Sequence, residues 1–588
     1  MIKVLLCTTF ISVAISGALL FLNPISGYEI SIYEGTPAFV WIALIYCMAC
    51  GIGLIFYFIW TSEKISFLYW VLSVTIIILA RFELLYVPYM RGYVTLRGDN
   101  ISHVGAVVDI LNSGFIGDNS YPVTHILGSG ISLLSSMPPI IFLNYMTALF
   151  SVFYVFSIYL LLKTTSVLGK AQCLAFAVAG GVLFDQYNVY VMPNGWSLFF
   201  LPFILYVALQ TAKCKEYSIL FALLLVISVF FHPLTYLLLI AVLVFCSVFY
   251  YIKNNFTILK KFSDVSYQFL IPIVLSGILF AWHVLSFQQF VPNIGLLWDS
   301  ITSAGGGKIP LAQMGDTLSK INFDVYDFIK LFLKMDGDEI IYLIFLFFAL
   351  LLVLRSYIKG NLKICSNEVI FLGVPILLGA IYGAYQLNLV PGLASIGSGR
   401  ILSFVMILTP LSTAFVLNHY ISERNKIMSL IFVVLILIAS TVSILSLYPS
   451  PYLFRANPGV TNMDMDEMRW VIANTEGEYE YVTILSPVTR FSDAILGMIE
   501  TKIEIGKQVP AVVDHFGYNS NISLKQYYNK TVCFPVTYMD QIIYTSVQSY
   551  AAVGRFKQHD FIRLNEDKSV DRLYQNGESF VYIINGAL

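Results

Sequence analysis

Arg97-Gly98-Asp99-Asn100-Ile101-Ser102-His103 is a short polar stretch set among long apolar ones, and its surroundings decide the fold. It follows an apolar run at 66–86, which two others precede at 3–23 and 37–60. Across the whole chain 58% of residues are hydrophobic, 15% aromatic and only 12% charged, with a mean hydropathy of +0.78. A soluble core cannot hide that much apolar surface, so the chain reads as a polytopic α-helical membrane protein. A net charge of -1 leaves no electrostatic footprint for nucleic acid. Cys47 and Cys50 form a CxxC inside an apolar run with no second Cys or His pair, so no zinc site is expected. Cys533 is alone in the C-terminal region, which therefore has no internal disulfide framework.

About thirteen stretches are long and apolar enough to read as spans, given that a bilayer core takes ~20 helical residues. After the first three they lie near 139–163, 169–185, 195–212, 217–231, 233–252, 268–288, 339–357, 367–385, 400–418 and 426–447. The first span, with no small-x-small site after it, is expected to be a retained anchor. With a cytoplasmic N-terminus, each inner loop carries Lys or Arg: Lys64, Lys163 and Lys170, Lys213 and Lys215, Lys253, Lys260 and Lys261, then Arg355, Lys359 and Lys363, and Arg424 and Lys426. This follows the positive-inside bias of multi-pass plasma-membrane proteins. It places 87–138, 289–338, 386–399 and 448–588 together outside. The domain reading is a membrane domain over 1–447, with 87–138 as its first long outer loop, and an extracytoplasmic domain over 448–588.

The outer loop 87–138 predicts two helices. Ile101, Val104, Val108 and Leu111 fall at helical spacing before Gly114. From Pro122 to Ser136, Val123, Ile126, Leu127, Gly130, Ile131 and Leu134 make an apolar face against Thr124, His125, Ser129 and Ser132, the pattern of an interfacial helix. Asp99 is either an N-cap or a protruding general base able to take the proton of an attacking hydroxyl. Asn100 is an alternative cap that would leave Asp99 free. Asp185, Asn188, Asn194, the His232-Pro233 turn and Trp282, His283 and Gln288 gather on the same face. Each alone suits an interfacial anchor. Arg400, at the outer boundary of a span, runs against the charge bias. It either snorkels to headgroups or clamps a phosphate, and the small residues from Gly392 to Gly399 favour the phosphate. Gly305-Gly306-Gly307-Lys308 lacks nucleotide-loop spacing and suggests a gating loop.

Beyond Leu447, Pro449, Pro451 and Pro458 mark a linker into a region of small-domain size. The pattern predicts a helix from Asp464 through Ile472, a buried strand Tyr481-Val482-Thr483-Ile484-Leu485, a helix near 491–500, and a hairpin over 571–582 turning at Asn576-Gly577, hence an α/β domain. No nucleophile elbow, zinc or phosphate motif occurs in it. Asn100-Ile101-Ser102, Asn521-Ile522-Ser523 and Asn529-Lys530-Thr531 read as outward-facing glycosylation sequons.

Three stretches carry a resemblance to the GT-C superfamily of integral-membrane glycosyltransferases, in particular its microbial, archaeal-like members. They are Gly98-Asp99-Asn100 with Ala106 through Gly114, then Tyr121-Pro122 leading to His125, and Thr461 through Trp470 with Leu573-Tyr574-Gln575-Asn576-Gly577. The chain departs from the common pattern in placing the acidic loop after its third span and in lacking a doubled acid, since Asn100 follows Asp99. The resemblance implies a GT-C-like fold and transfer of a sugar from a polyprenyl-phosphate donor to a glycan, lipid or protein acceptor at the outer membrane face. Asp99 would be the base of an inverting attack and Arg400 would hold the donor phosphate, with His103, His125 or His232 orienting substrate. No cofactor is expected, and the scheme requires no metal. Two other readings stay open from the residues: a transporter or flippase for lipid-linked glycans, and a non-catalytic scaffold in envelope assembly.

Overall fold

A computed structural model describes residues 2–61, 66–164, 171–211, 214–255, 265–287, 295, 325–359, 366–387, 389, 397–475, 479–505, 512–520 and 523–586. The membrane part begins with α1 (Ile2–Leu22), α2 (Ala38–Trp60) and α3 (Phe67–Met90). The polar stretch then opens α4 (Asp99–Ser113), followed by α5 (Pro122–Ser135), α6 (Pro139–Lys163), α7 (Ala171–Gly181), α8 (Pro193–Gln210), α9 (Lys215–Phe231), α10 (Pro233–Asn255) and α11 (Val265–Ser286). After them come α12 (Val325–Ile358), α13 (Ser366–Gln386), α14 (Ser398–Met406), α15 (Thr409–Ser422) and α16 (Lys426–Ser446). Helix thus occupies every stretch expected to span. Among the described residues, six helices are by themselves long and apolar enough to cross a membrane, or seven if α14 and α15, bent by 42°, form one span. The protein is a multi-pass helical membrane protein.

Two of the irregular spans have visible causes. The carbonyls at the end of an 11-residue α7 lie inside the bundle, where no water can satisfy them. Arg81 of α3, fully buried, donates from Nη1 to the carbonyls of Gly180 (2.8 Å) and Val182 (2.7 Å), and from Nε to Ser151 Oγ (2.8 Å). A guanidinium there both caps the helix and meets the negative end of its dipole. The break between α14 and α15 is met by Tyr154, whose hydroxyl donates to the Ile407 carbonyl at 3.0 Å.

The segment 289–338, expected as an outer loop, is not loop at its end. Its stretch from Val325 joins the next span as one 34-residue helix, α12. At 1.5 Å per residue that is about 51 Å, well beyond a ~30 Å hydrocarbon core. Asp336, Asp338 and Glu339 therefore sit within a helix instead of before one. The rest of that loop, including Gly305-Gly306-Gly307-Lys308, and the sequon at Asn521 lie outside the described residues.

The C-terminal region folds around a four-stranded sheet of order β3-β4-β6-β5, with β3 (Glu480–Tyr481), β4 (Val532–Val536), β5 (Val570–Gln575) and β6 (Phe580–Ile584). β3 and β4 run parallel and the other pairs antiparallel. The expected hairpin forms, with Gly577 at φ +99°, a conformation glycine adopts without cost. Of the expected strand 481–485 only Tyr481 lies in a strand, the two-residue β3. The Val482 N–H still reaches the Cys533 carbonyl of β4 at 3.1 Å; beyond it the chain leaves the sheet, and the Leu485 N–H is taken by Asp540 Oδ1 at 3.0 Å. Helix α17 (Asn462–Asn474) starts at a Thr461–Asp464 capping box. Helices α18 (Val488–Leu496) and α19 (Met498–Glu504) follow β3.

This region is fastened to the loop after α3. β1 (Thr95–Leu96) pairs antiparallel with β2 (Gly459–Val460), and buried Arg97 forms an ion pair with buried Asp464 at 2.8 Å. Helix α18 packs on α4 so closely that a Cβ on Gly105 would lie 2.4 Å from the Asp493 carbonyl oxygen. Asp109 of α4 accepts the N–H groups of Met498 (3.1 Å) and Ile499 (3.3 Å), capping α19. Helix α5 is oriented with its polar face inward. Thr124, His125, Ser129 and Ser132 are buried, while Ile126, Leu133 and Leu134 are exposed, as an interfacial helix in contact with lipid requires.

Candidate active site

Gly98 turns the chain into α4 at φ 88°, ψ -145°, a region essentially restricted to glycine. Asp99 is consequently the first residue of the helix, and no side chain caps the helix start. The expected division of labour between Asp99 and Asn100 therefore does not occur. Asn100 is buried, and its Oδ1 accepts the Val191 N–H at 2.5 Å. That burial also removes Asn100 as an outward-facing sequon, whereas Asn529 is exposed. Asp99 points away from the helix, 62% exposed, with Oδ1 2.5 Å from Arg490 Nη1 of α18. Ser102, one turn on, donates to Asp493 Oδ2 at 2.6 Å and accepts from Arg490 at 3.3 Å. The C-terminal region thus supplies the cation that holds Asp99, a partner some 390 positions away that sequence spacing gives no means of finding.

His103 and His125 meet at 3.0 Å between Nδ1 and Nε2, and Asn119 Nδ2 lies 2.6 Å from His125 Nδ1. Burial lowers the His103 imidazole to about 4 against the opposing charge of Asp99, and burial with His103 as neighbour lowers His125 well below its ordinary range. Both rings are therefore neutral at neutral pH. Asn119 Oδ1 accepts the Tyr121 N–H, so its amide nitrogen is the group that faces His125. It follows that His125 carries its proton on Nε2, donates it to His103, and leaves His103 with an Nε2–H.

Tyr121 links this pair to the remaining expected residues. Its ring stacks on His232, centroids 5.2 Å apart, and its hydroxyl feels both Arg400 and Asp99. Arg400, exposed at the start of α14, also approaches the Tyr187 hydroxyl, which in turn accepts from Asn194 Nδ2 at 2.9 Å. His283 joins through Ser120, its Nε2 lying 3.3 Å from the Ser120 carbonyl. The structure therefore gathers Asp99, His103, His125, His232 and Arg400 into one neighbourhood, with Asp99 and Arg400 both near enough to act on the Tyr121 hydroxyl.

Asp99 also forms part of the wall of a cavity of about 810 Å³ between the membrane helices and the C-terminal region. Asp185, Arg455, Tyr190 and Tyr550 also line it, while Arg400 and the histidines do not. Asp185 follows α7 at φ 43°, ψ -122°, held there because Asn188 Oδ1 accepts the Phe184 N–H at 2.6 Å and its Nδ2 donates to Ser151 at 2.7 Å. Asp185 is exposed, with Asp338 as a like-charged neighbour and Arg455 as an opposite one. Arg455 is exposed into the cavity just after Phe454, a second non-glycine residue at positive φ (55°). Strained residues of this kind cluster at functional sites. Sequence reading noted Asp185 only as a polar flank and did not single out Arg455 or Arg490. The usable signal was Asp185-Gln186-Tyr187-Asn188 interrupting an apolar run. Among the described residues no group of three or more His, Cys, Asp or Glu side chains could hold a metal ion.

No family model matches the chain, and no curated protein matches it. Among solved structures it is similar to the crystal structure of ArnT from Cupriavidus metallidurans in the apo state, at 9% identity over 87% of this chain and 97% of that one, with a TM-score of 0.37. A likeness of that degree shows neither a shared fold nor a shared activity.

Proposed function

We propose that the chain is a GT-C-type glycosyltransferase that moves a sugar from a polyprenyl-phosphate-linked donor to a hydroxyl acceptor at the extracytoplasmic face, the N-terminus being cytoplasmic. The observation that carries this is the position of Asp99: an accessible carboxylate on a cavity wall, fixed through one oxygen by Arg490. Its Oδ2 is left to take the acceptor proton. The acceptor oxygen would then bond the anomeric carbon from the face opposite the phosphate, with inversion. The C–O bond to phosphate would break, and the electron pair would leave with the lipid phosphate. Arg400 would neutralise the charge that develops there. The His125–His103 chain, neutral and fixed in tautomer, would orient substrate with its free N–H, and His232 would do so through Tyr121.

A second reading, transport of a lipid-linked glycan, is favoured by Asp338 and Glu339, since ionisable residues inside a spanning helix often mark a transport path. Transfer from a radiolabelled polyprenyl-phosphate sugar by the full chain in lipid discs separates the two. Asp99→Asn should lower transfer about 10²–10⁴-fold, the usual worth of a general base. Arg400→Ala should lower it without loss of folding. Undiminished transfer by Asp99→Asn refutes the base assignment, and glycolipid movement without transfer favours the transporter.

A further inference from the structure

The cavity beside Asp99 contains two unmatched charges. Asp185 and Arg455 feel one another electrostatically, yet among the described residues neither makes a side-chain hydrogen bond or an ion pair at contact distance. Both are displayed by strained backbone, at Asp185 itself and at Phe454. A carboxyl and a guanidinium facing one space without touching fit a ligand that can donate to one and accept from the other. Neighbouring hydroxyl groups do both. An anion would satisfy Arg455 while meeting the carboxylates of Asp185 and Asp99, and a cation would meet the reverse mismatch. The rest of the lining, Met192, Tyr190 and Tyr550 among it, supplies apolar and aromatic surface for the CH faces of sugar rings. The volume of about 810 Å³ lies in the range of about 300–1,000 Å³ typical of small-molecule sites and leaves room for about two or three rings.

We infer that this cavity binds a neutral oligosaccharide whose hydroxyl groups bridge Asp185 and Arg455 and reach Asp99. That the oligosaccharide is the acceptor rests on the glycosyl-transfer reading above; that it binds does not. Two or three rings with one hydroxyl at Asp99 and others at Asp185 and Arg455 fix both the occupant and its direction in the cavity.

The test measures equilibrium binding to the full chain in lipid discs, without donor, by saturation-transfer NMR and calorimetry. The probes are neutral gluco-, manno- and galacto-trisaccharides, trigalacturonate, fully deacetylated chitotriose and an uncharged hexapeptide. At least one neutral trisaccharide should bind, and the acidic and cationic trimers should bind at least tenfold more weakly. Arg455→Gln and Asp185→Asn should each weaken the neutral ligand by about tenfold to a hundredfold, the range for hydrogen bonds to charged groups. Among the described residues Arg455 makes no side-chain hydrogen bond or contact ion pair, so Arg455→Gln keeps the test valid if Asp185→Asn unfolds. Binding of a charged trimer or the peptide in preference, absence of binding by every neutral trimer, or binding indifferent to Arg455→Gln overturns the inference. If Asp99→Asn still transfers sugar, the transfer reading fails while saccharide binding stands. If transfer depends on Asp99 but no neutral saccharide binds, the saccharide site alone fails.

Discussion

Gly105→Ala tests whether the C-terminal region is part of the candidate site or merely adjacent to it. The new Cβ would sit 2.4 Å from the carbonyl oxygen of Asp493 and 2.7 Å from its carbon, against 3.4–4 Å for ordinary contact. These are backbone atoms of α18, so no rotamer relieves the clash, and the helices must part by about 1 Å. Overpacking of this kind costs about 1–3 kcal/mol. It is opposed by the helix propensity that alanine gains over glycine, about 1 kcal/mol. Gly130→Ala on α5 is the control, since nothing lies within 4 Å of its Cβ and only the propensity gain applies. The same separation would pull Arg490 from Asp99 and Asp493 from Ser102, contacts now at 2.5 and 2.6 Å. Thermal unfolding of the full chain should therefore rank Gly130→Ala above wild type and Gly105→Ala below it. Proteolysis in the 449–458 linker should be faster in Gly105→Ala, and transfer should fall. Equal melting of the two variants, with the linker equally protected, would refute the docking geometry and with it the role of Arg490.

Glu467 offers a pH test. It is fully buried, and burial, with Asp464 and Asp540 adding to it and Ser579 opposing, raises its carboxyl well above the ordinary 4.5. A group raised in the folded state contributes stability below its unfolded value and loses that contribution as pH rises towards the folded one. Glu467→Gln should thus gain on wild type as pH rises from about 5 to 9, with the gap closing in acid; a pH-independent gap would exclude this account. In a glycosylating host, peptide mapping should find glycan at exposed Asn529 and none at buried Asn100, and glycan at Asn100 would contradict the placement of the 97–103 stretch.

The membrane helices were legible because a bilayer imposes length and apolarity directly on sequence, and helix appears in every expected stretch. What was hidden came from contacts distant in sequence. Asn100 looked like a cap because capping is local, but the Val191 N–H, carried in by a loop 91 positions away, took its oxygen. Arg81, inside the third span, carries no signal in the sequence, because its task is set by the exposed carbonyls of α7 beside it. The sequence reading ends the outer loop at 338 and begins the span at Glu339, whereas helix already runs from Val325. In the fold Asp336, Asp338 and Glu339 lie on α12 near Asp185.

The candidate site shows the same division more sharply. His103, His125 and Asp99 share two neighbouring helices, so helical spacing could bring them together in advance. Arg400 and His232 required only a common membrane face. A common face also held Asp185, but only as a polar flank, and Arg455 not at all; what distinguishes both is the strained backbone that displays them and, among the described residues, the lack of a side-chain partner at contact distance. Asp99 belongs to both sets: like Arg400 it acts on the Tyr121 hydroxyl, and unlike Arg400 it lines the cavity. A base that joins two substrates needs such a boundary position, since each substrate must reach it without crossing the other's path. If the donor phosphate is held at Arg400, loss of Arg400 should raise the KM for donor and leave that for acceptor unchanged, while loss of Arg455 should do the opposite. A single variant that raised both equally would place the two ligands in one pocket and remove the reason for assigning Asp99 the boundary.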